Sequence, residues 1–206
     1  MDDSSWEKWG LAWDPLPVCH RYFEMHENWR NFLGGGEAAV AHREWLQSMN
    51  VPVYMLKVEH DIPMSRQYPM DEVAEKIGKT QFGTAYLESS IAYMMAAAIL
   101  EMRPNCRQFF NGDRIGVWGC DLATGGEYAY QRPNMEYLIG LARGLGITVY
   151  VPPQNILLSP CRKVPYGMSL PDDKPAERPA WMPSKEEMEA YAKPPAPRAA
   201  LASFPA

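Results

Sequence analysis

Histidine and carboxylate side chains near the ends of three expected strands mark where this chain could do chemistry. His26 falls where one strand should end, His60 and Asp61 where the next should, and Asp121 closes a third, Ile115-Gly116-Val117-Trp118-Gly119-Cys120-Asp121. A histidine with an ordinary pKa can take up a proton at neutral pH, so His26 and His60 are candidate general bases. The plainer reading of each is a histidine satisfied by a backbone carbonyl. Asp121 could orient a hydroxyl, a metal ion or an acceptor; the alternative is a carboxylate capping the turn after it. If these strands are parallel neighbours, His26, His60, Asp61 and Asp121 converge on one rim, the carboxyl edge where open α/β sheets bind ligands. His20, Glu24 and His26 share one strand face, but alternate residues on a strand stand ~7 Å apart. That spacing is too long for three ligands on one ion, so no metal site is expected.

The elements that must carry these residues can be read from punctuation and period. Residues 9–13 form a first strand, broken by Asp14-Pro15-Leu16-Pro17, and residues 19–26 form a second. Gly34-Gly35-Gly36 marks a loop with a permissive backbone. Residues 37–49 have a helical pattern with Ala39, Val40, Trp45 and Leu46 on the apolar side, and residues 51–58 form a strand with Pro52 near its start. A short helix over 71–77 stops at Gly78.

The central helix is expected over 86–102, with Ser89-Ser90 as its polar start and Pro104 preventing its continuation. Its run from Ile91 to Leu100 is apolar on every side, the mark of a helix buried all round. Residues 114–121 then read as a strand buried on both faces. Pro133 suits the first turn of a helix running to about Leu145, and residues 147–151 form a last strand.

Composition narrows the classes. A hydrophobic share of 47% with 22% charged residues is that of a globular protein. The net charge of −5 argues against a nucleic-acid backbone as main partner. The longest apolar run, 91–100, is far short of the ~20 residues of a membrane span, so no membrane partner is expected. Cys19, Cys106, Cys120 and Cys161 form no C-x-x-C pair, and the acidic N-terminus resembles no export signal; both point to reduced thiols in a cytoplasmic setting. Ten of the nineteen prolines lie in residues 160–206, where one short helix is expected over 184–192, with Ser184 as N-cap and Glu187 as capping-box partner. The rest of that stretch cannot bury enough apolar surface to fold alone and is expected to use a protein partner. The expected division is therefore an α/β domain over 1–159 and a Pro-rich extension over 160–206.

Ser89-Ser90-Ile91-Ala92-Tyr93-Met94, followed by the strand ending in Gly119-Cys120-Asp121 and by Glu127-Tyr128-Ala129-Tyr130-Gln131-Arg132-Pro133-Asn134, resembles a known group. These are the Rossmann-like proteins that include motility accessory factors, 6-hydroxymethylpterin diphosphokinase-like proteins and bacterial sialyltransferases, and above all their small phage-encoded members. The likeness spans roughly residues 6–158. It implies a three-layer Rossmann-like domain with a mostly parallel sheet. It also implies a nucleotide or nucleotide-sugar ligand, held by Ser89 and Ser90 at a helix N-terminus and by Tyr128 and Tyr130. Arg132 starts the next helix; it could fork onto a phosphate or pair with Glu136 four residues on.

The family's opening strand and Gly-rich turn have no counterpart here; a gene start upstream of Met1 would supply them. The sialyltransferases use a histidine base in their C-terminal part, whereas here no histidine follows His60, which leaves His26 or His60 as base. Two readings stay open. One is a phage-type, glycosyltransferase-like nucleotide-sugar-binding protein in the host cytoplasm. The other is a catalytically lapsed interaction or virion-associated protein whose extension binds a partner.

Overall fold

The structure, a computed structural model, describes residues 6–12, 19–103, 113–120, 122, 128–152, 155 and 157–158. The expectations for Pro104, for Asp121 and for the helix over 184–192 lie outside these residues. One unit spans Met1–Leu157 and a second Leu158–Ala206; the elements below belong to the first.

Four short strands form a parallel sheet in chain order: β1 (Trp9–Leu11), β2 (Arg21–Glu24), β3 (Val53–Met55) and β4 (Ser65–Gln67). Glu24 pairs with Met55 in register and Tyr22 with Val53, so β2 and β3 end side by side as the rim argument requires. Between them run a 3₁₀ helix (Trp29–Gly34) and α1 (Gly36–Gln47). α2 (Met70–Lys76), α3 (Ser90–Met102), β5 (Arg114–Gly116), α4 (Tyr128–Gly144) and β6 (Thr148–Tyr150) complete the described order. The protein is thus an α/β structure whose strand pairs are parallel, and no helix among the described residues is long and apolar enough to cross a membrane.

Alternation along β2 sends neighbouring side chains to different cores. Phe23 joins the larger cluster with α3 and α4, built on Met95, Ala96, Ile99, Leu138, Ile139 and Val149. Tyr22 joins a second cluster with Leu46 of α1, Val53, Met55 and Ile62. α3 is buried continuously from Met95 to Leu100, because it packs against β1, β2, α2 and α4 together. Its first turn is only partly buried, so the expectation of burial all round holds for its second half.

Several expectations change. β5 and β6 pair in a separate two-stranded sheet rather than joining the other four strands. Of the strand expected over 114–121, the described residues 114–120 form it only at Arg114–Gly116; Arg114 is exposed, and Ile115 and Gly116 are only partly buried. The chain turns at Trp118, whose ring folds over Gly116 so closely that a Cβ there would lie 2.0 Å from it. Among the described strands, β5 pairs with β6 alone. β4 was not expected, since Ser65-Arg66-Gln67 is polar and carries no period; it forms by pairing with β3. α4 begins at Tyr128, which puts Pro133 inside the helix rather than in its first turn, on an exposed side where its missing N–H and ring are most easily accommodated. On α1, Val40 is 57% exposed, and the buried side is Ala39, His42 and Leu46. That set follows the i, i+3, i+7 spacing of one helix face.

Candidate functional site

Glu24 is the last residue of β2, and it is 1% exposed. A carboxylate taken from water must be paired and hydrogen-bonded, and two histidines supply this. His42, fully buried on α1, places Nε2 2.6 Å from Glu24 Oε2. His26, just past the strand, places Nδ1 2.5 Å from Glu24 Oε1, and its backbone N–H donates to the same oxygen at 3.0 Å. Burial by itself pulls the Glu24 carboxyl upward. The side-chain hydrogen bonds of His26 and His42, the His26 backbone N–H and the His26 charge outweigh it and hold the group at about 2.

An ionised carboxylate only accepts, so both facing ring nitrogens carry the protons. In neutral His26 that puts the proton on Nδ1 and makes Nε2 the basic nitrogen. The His26 side chain is 61% exposed, whereas His42 has no exposure at all. The two histidines therefore differ in what they can do. His26 can meet a substrate; His42 can act only through Glu24.

The loop after β3 is held by ion pairs. Glu59 accepts from Arg30 Nη2 at 2.6 Å and from the Trp29 indole N–H at 3.3 Å. Asp61 lies between two guanidinium groups, 2.9 Å from Arg30 and 2.7 Å from Arg43 of α1. The hydrogen bond from Arg30 draws the Glu59 carboxyl below its ordinary range against the smaller effect of burial. Asp61 is thus a tie between the 3₁₀ helix, α1 and the loop. His60 is exposed, and the ties run through the residues on either side of it. β2 and β3 end side by side, and His26 faces Glu24 there; the residues flanking His60 and Asp61 are instead bonded to the first residue of β4, the Glu59 N–H to Ser65 Oγ at 3.0 Å and the Ser65 N–H to the Ile62 carbonyl at 3.0 Å. β5, the strand that leads toward Asp121, belongs to the other sheet.

The residues expected to hold a nucleotide gather around the starts of α3 and α4. Ser89 is the N-cap of α3, and its Oγ accepts the Ala92 N–H at 3.2 Å. Its hydroxyl thus already serves the helix whose N-terminus was expected to hold phosphate. Ser90 opens the helix and is partly buried. Tyr128 and Tyr130 stand on the first turn of α4, 36% and 72% exposed. Arg132 takes the ion-pair alternative, with Nε 2.8 Å from Glu136.

What joins the two helices is Asn134, which is fully buried. Its Oδ1 accepts the Glu88 N–H at 3.0 Å, and its Nδ2 donates to the Tyr86 carbonyl at 2.8 Å. This clasp sits one turn from Tyr130 along α4 and directly before Ser89. Asn134→Ala leaves a buried donor and acceptor unmatched. It should cost about 2 kcal/mol and speed hydrogen exchange at the Glu88 amide more than at the centre of α3. Equal acceleration at both places would show that the clasp is not local.

Glu24, His42 and Asn134 were not among the expected site residues. Glu24 had been considered only as part of a metal face with His20 and His26. His20 instead accepts the Lys8 N–H at 2.9 Å through Nδ1, and among the described residues no group of three or more His, Cys, Asp or Glu could hold a metal ion. The available signal was His42 itself: it lies three residues after Ala39 and four before Leu46, on the buried side of an amphipathic helix, where an imidazole needs a buried partner.

Comparison with protein-family models, with curated proteins and with solved structures finds no match for this chain.

Proposed function

We propose that this chain is a Rossmann-like, three-layer α/β protein of glycosyltransferase type, in which His26 is the general base oriented by Glu24. The observation that carries the reading is an accessible imidazole whose Nδ1 is held by a buried ionised carboxylate at the carboxyl end of a parallel strand. In the proposed step, the acceptor hydroxyl gives its proton to His26 Nε2 as its oxygen attacks the anomeric carbon, and the nucleotide leaves with the bonding pair. Of the two candidate bases, only His26 has a carboxylate partner among the described contacts. Core clusters on both faces of the four-stranded sheet support the three-layer arrangement. Among the described residues, the order β1-β2-β3-β4 contains no reversal of the kind that marks a dinucleotide crevice. The donor's nucleotide would lie by Ser89, Ser90, Tyr128 and Tyr130, as the resemblance implies, with Arg132 assisting and Asp121 orienting ribose or sugar, as their places in the sequence suggest.

The test begins with a thermal-shift panel of cytidine, uridine, guanosine and adenosine nucleotides and their sugar conjugates. A ligand at about a hundredfold over its dissociation constant adds about 2.7 kcal/mol of stability. With the donor known, His26→Ala should lower turnover by about 10²–10⁴-fold while the donor's thermal shift is kept. Turnover within a few-fold of wild type would remove His26 from the reaction.

The second reading, a lapsed enzyme acting as an interaction protein, draws support from Phe82. This ring is 81% exposed within the turn closed by hydrogen bonds between Thr80 and Thr84. No shift with any nucleotide, from folded protein, would favour it.

A further inference from the structure

His42 has no route to a substrate, yet it contributes one of the two side-chain hydrogen bonds that a buried carboxylate receives. We infer that His42 is a positioning residue, which acts through Glu24 to hold the His26 ring in the form that can accept a proton; this rests on the reading of His26 as base. The geometry is a relay through one carboxylate: His42 Nε2, Glu24 Oε2, Glu24 Oε1, His26 Nδ1, with contacts of 2.6 and 2.5 Å at its two ends. Each carboxylate oxygen serves one imidazole. A carboxylate bound at both oxygens has its plane defined, and that plane sets where the His26 ring stands.

α1 brings further constraint. The His42 ring lies parallel to the Trp45 indole, at 6.2 Å between centroids, and Trp45 meets Tyr22 edge-on at 5.1 Å. Tyr22 is two residues before Glu24 on β2, so the imidazole and the carboxylate it serves are anchored to one packed patch. Arg43, next along α1, is held by Asp61 at 2.7 Å, which fixes the same turn of the helix to the loop after β3.

The consequence is a tautomer preference. An imidazole in water favours the proton on Nε2. Here Glu24 reverses that for His26, and it does so as long as the carboxylate stays ionised and aimed at Nδ1. Removing the His42 donor frees one carboxylate oxygen, lets the group turn, and weakens the hold on His26 without touching the substrate side.

Long-range ¹H–¹⁵N correlation spectra of the full chain report which ring nitrogen carries the proton, and no ligand is needed. The wild type should show neutral His26 with the proton on Nδ1 and His42 with it on Nε2. In His42→Leu, the His26 ratio of Nδ1–H to Nε2–H should fall by about threefold or more, a fraction of one charge-assisted hydrogen bond. His42→Gln keeps an N–H donor and should restore most of the ratio.

A folded His42→Leu with an unchanged ratio would overturn the inference and leave His42 as a packing residue. If His42→Leu does not fold, the wild-type spectrum still decides: a His42 proton found on Nδ1 rather than Nε2 would overturn it. Failure of the underlying reading looks different. There, wild-type His26 itself would carry its proton on Nε2.

Discussion

Asp113→Ala is expected to lower the free energy of unfolding by about 3 kcal/mol. Its partner Arg103 ends α3 as the C-cap residue and has no exposed surface. One guanidinium nitrogen donates to the Met102 carbonyl at 2.8 Å, another to the Leu145 carbonyl at 3.1 Å, and the Asp113 carboxylate supplies the opposite charge. The Asp113 backbone carbonyl also accepts the Thr148 N–H at 3.0 Å. One charge pair therefore joins the end of α3, the turn after α4 and the start of the β5–β6 sheet.

Breaking a buried pair from one side typically costs 3–5 kcal/mol, since the remaining charge has lost its counter-ion in a poor solvent. The Asp113 side chain is 36% exposed, so water can partly replace it, and the lower end of that range applies. Urea unfolding of wild type and variant measures the difference through the midpoint. Asp113→Asn, which keeps the shape and loses the charge, should fall between the two. A loss under about 1 kcal/mol would mean that the Arg103 carbonyl contacts suffice.

The second large effect is on acid stability, and it belongs to Glu24. Its carboxyl is held at about 2 in the folded protein against an ordinary 4.5. A depressed carboxylate stabilises the fold at pH above its unfolded value, and that contribution disappears as pH falls through the folded value. The loss should therefore occur between about pH 4.5 and pH 2, and it should amount to about 3 kcal/mol. Glu59 is shifted in the same direction by Arg30, near the surface, where solvent screens the pair and the effect is small.

Unfolding curves at pH 6 and pH 2.5, compared between wild type and Glu24→Gln, isolate the Glu24 share. The variant should be less stable at pH 6 and lose less on acidification. Parallel acid profiles in the two proteins would show that Glu24 is not the group responsible.

Much of the local structure was determined by the sequence alone. α3 begins after Ser89 because a serine side chain can bond back to the third amide of the helix, and the contact to Ala92 is that bond. α2 ends beside Gly78, whose φ of +129° few other residues adopt. The strand that leads to His26 and the helix carrying Leu46 were legible from their two- and 3.6-residue periods. The adjacency of β2 and β3 was a condition of the rim argument rather than a reading of the sequence, and their parallel pairing meets that condition.

Tertiary structure decided the rest. β4 is a polar tripeptide whose only claim to be a strand is the open edge of β3 beside it. β5 stops where Trp118 folds over Gly116, a contact between residues two apart that no period encodes. The division into two sheets separates β5 from the strand end that leads to His26, although a strand was expected at each of the two places.

The candidate site shows the same boundary. His26 was chosen from its place at a strand end, and that place holds. Its chemistry depends on Glu24, two residues away, and on His42, eighteen residues from Glu24 on a different element. A hydrophobic period says which face of a helix or strand turns inward. It does not say which polar group waits there, because that choice is made only when α1 settles on β2 and a buried imidazole and a buried carboxylate must satisfy each other.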